Sequence, residues 1–255
     1  SANWVMNPFF NDHTSYGACL AMVLPFLLWQ SFSPRILGVK RLVVWFVLLI
    51  FITALVLSYT RAAWVSLVGA LGVFVVLRFK IKTWMVLTGV LVVGIFLFTA
   101  MDSILIDLES NKQDSSSNLT EHVESISNVS SDASNLERIN RWKSAVEMFQ
   151  DKPVFGFGPG TYAFEYAPYQ QSKDKTIIST NAGDGGNAHS EYLGPLSEQG
   201  ILGSLLMIAI VISVIITGVR VYKSSLSMES RMIGLSVFLG LITYYLHGIL
   251  NNFLD

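Results

Sequence analysis

Two arginines, Arg138 and Arg141, lie three residues apart in a segment whose apolar residues recur at helical spacing. On a helix both side chains would project from one side. A guanidinium presents a planar fork that binds phosphate oxygens through two parallel hydrogen bonds, so the pair could bind an anion. The alternative is a solvated basic face beside Trp142, which follows Arg138 by four residues. The spacing alone leaves both interpretations open.

His189 begins a second candidate segment, HSEYLGPLSEQG, which leads into a long apolar run. An imidazole exchanges a proton near neutral pH and can act as a general base, although a lone histidine is more often structural. His13, His122 and His247 have no metal-ligand spacing with His189, and the chain has a single cysteine. The sequence therefore predicts no zinc site.

Arg61 is a third candidate, in the short turn SYTRAAW between two apolar runs. Its side chain could simply extend along the membrane boundary, as long basic side chains do. However, Arg61 is the only basic residue of that turn, and small residues flank it. A large anionic group could therefore approach it.

Three glycines, Gly156, Gly158 and Gly160, alternate in the sequence FGFGPGTY. A dinucleotide-binding loop needs a strand before it and a helix after it. This run instead follows a predicted helix and contains Pro159, so it favours a tight turn at the membrane surface. Backbone N–H groups in such a turn could still face an anion.

Composition places the chain among membrane proteins. It is 52% hydrophobic and 14% charged, whereas soluble domains are about 25% charged. Six apolar runs are predicted to cross the membrane as helices, because lipid cannot satisfy an irregular backbone. They are residues 16–32, 42–59, 62–77, 84–100, 201–221 and 232–250. The chain ends directly after the sixth run, and we expect it to be a fragment of a longer membrane protein.

Basic residues set the predicted orientation. The loops after the first, third and fifth runs carry lysines and arginines, so these loops are expected on the cytoplasmic side. Arg61 and the long polar loop then lie on the opposite side. The prediction is an all-α fold, a polytopic transmembrane helix bundle with a large, partly helical outer loop. Its parts are four transmembrane helices (1–101), the loop (102–199, flexible in its first third) and two more transmembrane helices (200–255).

Four blocks of the sequence carry a family resemblance. In order, they are NPFFNDHTSYGACLAMVLPFLLW, LSYTRAAWVSL, ERINRWKSAVEMFQDKPVFGFGPGTY and NAHSEYLGPLSEQGILG. They contain an arginine four residues before a tryptophan, then D-x-P-x-x-G-x-G, H-[NS]-x-x-L and E-x-G-x-x-G. This order resembles the O-antigen ligase and polymerase family of bacterial membrane glycosyltransferases, and it covers most of the chain except the Ser-rich segment.

The resemblance implies metal-independent transfer of an undecaprenyl-diphosphate-linked glycan to an acceptor hydroxyl, on the periplasmic face of the inner membrane. O-antigen ligation to lipid A core is the leading expectation. By position, Arg61 and Arg138 would hold the diphosphate leaving group, and His189 would activate the acceptor hydroxyl. Arg141 has no clear family counterpart and is a further substrate-binding candidate, as is His13. The resemblance implies neither a cofactor nor a nucleic-acid partner.

Other functions remain open. A repeat-unit polymerase and a protein O-oligosaccharyltransferase share the same chemistry. A lipid-linked glycan transporter or flippase belongs to a different class, and so does a membrane scaffold whose loop binds a partner. Transporters usually show internal repeats, broken spans or ionisable groups at the membrane midplane. The six apolar runs show none of these features, which favours the transferase.

Overall fold

The computed structural model describes residues 9–10, 13–110, 133–172, 175, 179, 186–224 and 227–252. Over these residues the regular structure is helical, which confirms the predicted all-α fold. A short 3-10 turn, Ala167–Tyr169, lies between the sixth and seventh helices. The helices are α1 (His13–Phe32), α2 (Val39–Leu57), α3 (Arg61–Arg78), α4 (Thr83–Ser110), α5 (Ala133–Asp151), α6 (Tyr162–Glu165), α7 (Leu193–Lys223) and α8 (Met228–His247).

Helices coincide with all six predicted spans. Four of them, α1, α2, α3 and α7, are long and apolar enough to cross a membrane. The apolar part of α4 is shorter and covers Thr83–Phe96. Helix α8 covers most of the sixth predicted span, and Glu229 and Arg231 near its start make it more polar than the other four. The structure is consistent with a helical membrane bundle.

Helix α4 continues to Ser110, into residues that were expected to form a loop. No glycine or proline stands between Gly94 and Ser110, so the covalent chain does not oblige the helix to stop at residue 100. Residues 111–132, which contain most of the segment predicted to be flexible, lie outside the described residues. Helix α5 ends at Asp151, two residues before Pro153, as proline geometry predicts.

The chain forms two compact units. The first unit is Ser1–Lys80 with Ile208–Asn251, and the second is Ile81–Met207 with Asn252–Asp255. In the first unit, α1 packs against α2, α3 and α8, and α8 also packs against α3. A Cβ at Gly240 would lie 2.4 Å from the carbonyl oxygen of Met22. The close packing of α1 on α8 therefore depends on a glycine, as is common between membrane helices.

The second unit has a small core between α5, α6 and the start of α7. It contains Ala145 and Met148 of α5, the two tyrosines of the α6 segment, and Ala188. The rings of Tyr162 and Tyr166 stack with their centroids 5.1 Å apart. Burial raises the pKa of Tyr162, so its hydroxyl stays protonated and can act as a hydrogen-bond donor.

Helix α5 buries polar side chains as well as apolar ones. Val146, an apolar residue of this helix, is exposed, whereas Glu137, Asn140, Arg141 and Ser144 are buried. Each of these four polar side chains has a hydrogen bond inside the unit, which offsets the cost of removing them from water. The buried face therefore fixes the position of α5 through specific polar contacts.

Candidate functional site

The backbone of His189 is held at both its N–H and its carbonyl group. The N–H donates to Oδ1 of Asn187 at 3.1 Å, and the carbonyl oxygen accepts from Nε1 of Trp142 at 3.3 Å. The residue has a φ of 47°, in the left-handed region that few residues other than glycine adopt. Such a conformation persists only where its surroundings stabilise it, and it is often found at functional sites.

Arg141 lies directly behind this segment. Its Nε donates to Oε1 of Glu137 at 2.9 Å, and its Nη1 donates to the carbonyl oxygen of Asn187 at 3.2 Å. Its guanidinium carbon also lies 5.1 Å from the centroid of the Tyr166 ring. Only 7% of Arg141 is exposed. The structure therefore shows Arg141 supporting the residues before His189, and its predicted contact with substrate stays a prediction.

The approach of Arg141 also depends on a glycine in the same segment. A Cβ at Gly186 would lie 1.8 Å from Nη1 of Arg141, which is far below van der Waals contact. A larger residue at position 186 would displace either the guanidinium or the loop. The backbone of residues 186–187 therefore packs directly against the guanidinium of Arg141.

Arg138 belongs to the same unit as His189. It is half-buried on α5, one helical turn before Trp142, and Trp142 donates the hydrogen bond to His189. The structure therefore places three of the predicted site residues, Arg138, Arg141 and His189, in one compact unit.

The other two predicted residues, Arg61 and His13, lie in the first unit. Arg61 begins α3 and His13 begins α1. Thr60, which precedes Arg61, donates from its hydroxyl to the carbonyl oxygen of His13 at 2.9 Å. A Cβ at Gly17 would lie 2.6 Å from the Thr60 side chain, so the starts of the two helices are close together. Both Arg61 and His13 are half-buried.

The glycine turn between α5 and α6 encloses a carboxylate of the chain itself. The backbone N–H groups of Gly160 and Tyr162 donate to the two carboxylate oxygens of Glu198, each at 2.9 Å. The sequence suggested that this turn could face an anion, and in the structure that anion is the buried Glu198 side chain. Sequence reasoning missed this role, although the glycine block and E-x-G-x-x-G occurred together in the family pattern.

Gly200 interrupts α7 and connects this helix to the turn. Its φ of 65° and ψ of −156° are not helical. The N–H of Ile201 donates to the carbonyl oxygen of Pro153 at 2.8 Å, and the carbonyl oxygen of Ser197 accepts from Phe157 at 3.1 Å. In a continuous helix Ile201 would donate to Ser197. The break at Gly200 thus replaces one helical hydrogen bond by two bonds to the turn.

The sequence from α2 to the first half of α7 matches a known family. A family model described as O-antigen ligase matches residues 45–208. The chain belongs to the O-antigen ligase family. The match includes Arg61, Arg138, Arg141 and His189, whereas His13 precedes it. None of the curated proteins compared with the chain matches it significantly.

Membership of the O-antigen ligase family sets the general chemistry. The chain is a multi-pass membrane protein of the glycosyltransferase type, with glycosyl transfer of the ligase or polymerase kind. The family implies a lipid-linked glycan donor in the membrane and a glycan acceptor. Among the described residues of this family member, no group of three His, Cys, Asp or Glu side chains could hold a metal ion.

Proposed function

We propose that this O-antigen ligase family member transfers an undecaprenyl-diphosphate-linked glycan to an acceptor hydroxyl, on the periplasmic face of the bacterial inner membrane. The leading reaction is O-antigen ligation to lipid A core. In this proposal the long loop is periplasmic, and transfer needs no metal ion.

The reaction would proceed by displacement at the anomeric carbon of the donor. The acceptor oxygen forms a bond to that carbon, and the bond from the carbon to the diphosphate oxygen breaks. His189 takes the proton of the acceptor hydroxyl. Negative charge grows on the departing undecaprenyl diphosphate, and Arg61 and Arg138 stabilise it there.

The hydrogen bond from Trp142 to His189 is the observation that carries this proposal. It fixes the backbone of the proposed base to α5, and α5 also carries Arg138. A base and an anion ligand must keep a constant geometry if they are to act in the same displacement. The compact second unit supports such a geometry for this pair, and the family match supports the type of reaction.

The role of His189 is tested by replacing it with alanine. We expect His189→Ala to lower the transfer rate by about 10²- to 10⁴-fold, the usual contribution of a general base. His122→Ala removes another histidine between the fourth and fifth predicted spans and should keep normal activity. Both proteins are purified and supplied with lipid-linked donor and lipid A core. Normal ligation by well-inserted His189→Ala protein would show that His189 is not the base.

The two proposed diphosphate ligands are tested in the same assay. We expect Arg61→Ala and Arg138→Ala each to lose most transfer activity while still inserting into the membrane. Arg78→Ala is the matched control for Arg61, because Arg78 is an exposed arginine at the other end of α3. Unchanged activity in both Arg61→Ala and Arg138→Ala would show that these arginines do not stabilise the diphosphate leaving group.

The products distinguish the alternative functions. A ligase joins the glycan to lipid A core, a polymerase lengthens the lipid-linked glycan, and a protein O-oligosaccharyltransferase modifies a hydroxyl-bearing peptide. A flippase or scaffold releases no undecaprenyl diphosphate in any of these mixtures. Chelation with EDTA should leave the rate unchanged, and a loss that magnesium restores would contradict metal independence.

A further inference from the structure

Two apolar side chains point outward from the turn after α5. Val154 is 50% exposed and Phe155 is 75% exposed. The backbone around them is tied inward, because Gly156 donates to the carbonyl oxygen of Lys152 at 3.0 Å and Phe157 donates to that of Ser197 at 3.1 Å. The exposure of these two side chains is therefore a property of a well-bonded turn.

The turn is attached to α7 at the break in that helix. Pro153 accepts a hydrogen bond from the N–H of Ile201 at 2.8 Å. A Cβ at Gly200 would lie 2.4 Å from the carbonyl oxygen of Val154, so the two backbones are in direct contact. The depth of Gly200 in the membrane therefore determines the depth of Val154 and Phe155.

The length of α7 places Gly200 at a membrane boundary. The last turn of this helix carries Arg220 and Lys223, and such basic residues mark an edge of the hydrocarbon core. In the sequence, the apolar run between Gly200 and Arg220 is about 20 residues long, which as a helix corresponds to about 30 Å at a rise of ~1.5 Å per residue. The hydrocarbon core is also about 30 Å thick, so Gly200 lies near its opposite edge.

The surface beside this turn is apolar and continuous with the span. Ile201, Leu202 and Leu205 follow the break and are 41%, 48% and 55% exposed. They belong to a helix that is apolar enough to cross a membrane. Lys152 is exposed two residues before Val154, and its Nζ lies 4.1 Å from the centroid of the Phe157 ring. An aromatic side chain beside a lysine is typical of the boundary between lipid headgroups and acyl chains.

We propose that Val154 and Phe155 form a membrane anchor, in which both side chains insert into the lipid leaflet on the loop side of the membrane. The occupant of this exposed surface is the phospholipid bilayer itself. The anchor holds the glycine turn, and with it the carboxylate of Glu198, at the lipid boundary. Its existence does not depend on the proposed glycosyl transfer, because it follows from the contact between the turn and α7.

Spin labelling tests the anchor directly. Phe155→Cys is made in a Cys19→Ser background, labelled with a nitroxide, and reconstituted into vesicles of phosphatidylethanolamine and phosphatidylglycerol. Collisions with oxygen, which concentrates in lipid, are compared with collisions with a water-soluble nickel chelate. Gln150→Cys is the water-exposed control, and Leu206→Cys, at a 68% exposed position of α7, is the lipid-exposed control.

We expect the ratio of oxygen to nickel accessibility at position 155 to be several-fold higher than at Gln150, approaching that at Leu206. A label at Val154→Cys should give the same result and serves if the first variant is poorly folded. A ratio equal to that at Gln150 at both positions would overturn the anchor. Low accessibility to both reagents would also overturn it, because protein rather than lipid would then cover the turn.

Discussion

The indole Nε1 of Trp142 donates a hydrogen bond to the carbonyl oxygen of His189 at 3.3 Å. The preceding residue, Arg141, donates from its guanidinium to the carbonyl oxygen of Asn187. Two successive side chains of α5 therefore hold the backbone of residues 187–189. Because Arg138 lies one turn earlier on the same helix, the element that carries a proposed diphosphate ligand also orients the proposed base.

Replacing Trp142 with phenylalanine should lower kcat while leaving the KM for the donor nearly unchanged. The variant keeps an aromatic ring but loses the N–H that fixes His189. A hydrogen bond contributes about 0.5–1.5 kcal/mol, which corresponds to about a 2- to 10-fold lower rate. Steady-state kinetics with lipid-linked donor measure this split. Trp45→Phe controls for the exchange of ring type, since Trp45 lies on α2 and packs against Phe32.

A double variant separates positioning from general damage to the protein. If Trp142 acts by orienting His189, Trp142→Phe should have no further effect on the residual rate of His189→Ala. A purely structural defect would lower both rates by the same factor. Equal fold-losses in the two backgrounds would therefore contradict the positioning role.

The helices were predictable from the sequence because lipid and proline impose strong local rules. Apolar runs such as that after Gly200 must be helical in a membrane, and Pro153 limits α5. The spacing of Arg138 and Trp142 likewise placed both on one helical face. These inferences needed only residues that are close together in the sequence.

The polar contacts of the site could not be predicted in the same way. Periodicity marks apolar residues, so it could not show that α5 buries Glu137 and Arg141. The role of Glu198 depends on Gly160 and Tyr162, which are more than thirty residues away in sequence. Such pairings depend on tertiary structure, and no local pattern specifies them.

Replacing Glu198 with glutamine should destabilise the second unit. The amide keeps the size of the carboxylate, but its NH₂ group would face the N–H of Gly160 or Tyr162. Leaving a buried donor unpaired costs about 1–3 kcal/mol, so the thermal midpoint in detergent should fall. Glu165→Gln, at an exposed position of α6, should leave it unchanged. Equal midpoints for the two variants would show that the carboxylate does not stabilise the turn.

Two ion pairs of this chain should differ sharply in their effect on stability. Arg141 and Glu137 have side chains that are only 8% and 5% exposed, and removing one partner leaves a buried charge at a cost of about 3–5 kcal/mol. Arg35 and Glu229 have side chains that are 70% and 34% exposed, and such pairs contribute about 0–1 kcal/mol.

Thermal unfolding of Glu137→Ala and Glu229→Ala provides the comparison. Glu137→Ala should unfold at a much lower temperature than the wild type, and Glu229→Ala should unfold near the wild-type temperature. Arg141→Ala should resemble Glu137→Ala in this assay. A small effect of Glu137→Ala would mean that Arg141 is held mainly by Asn187 and Tyr166.

Three glycine-to-alanine variants should separate backbone strain from steric conflict. Gly89 is helical with no atom near its missing Cβ, so Gly89→Ala should keep or slightly raise the thermal midpoint. Gly160 has a φ of 72° and no atom near its missing Cβ, so Gly160→Ala should cost about 1–2 kcal/mol from left-handed strain.

Gly200 combines a φ of 65° with a backbone atom of Val154 only 2.4 Å from the added Cβ. Gly200→Ala should therefore be the least stable of the three, because the turn must move away from α7. A midpoint for Gly200→Ala equal to that of Gly160→Ala would show that the contact between the turn and α7 contributes nothing to stability.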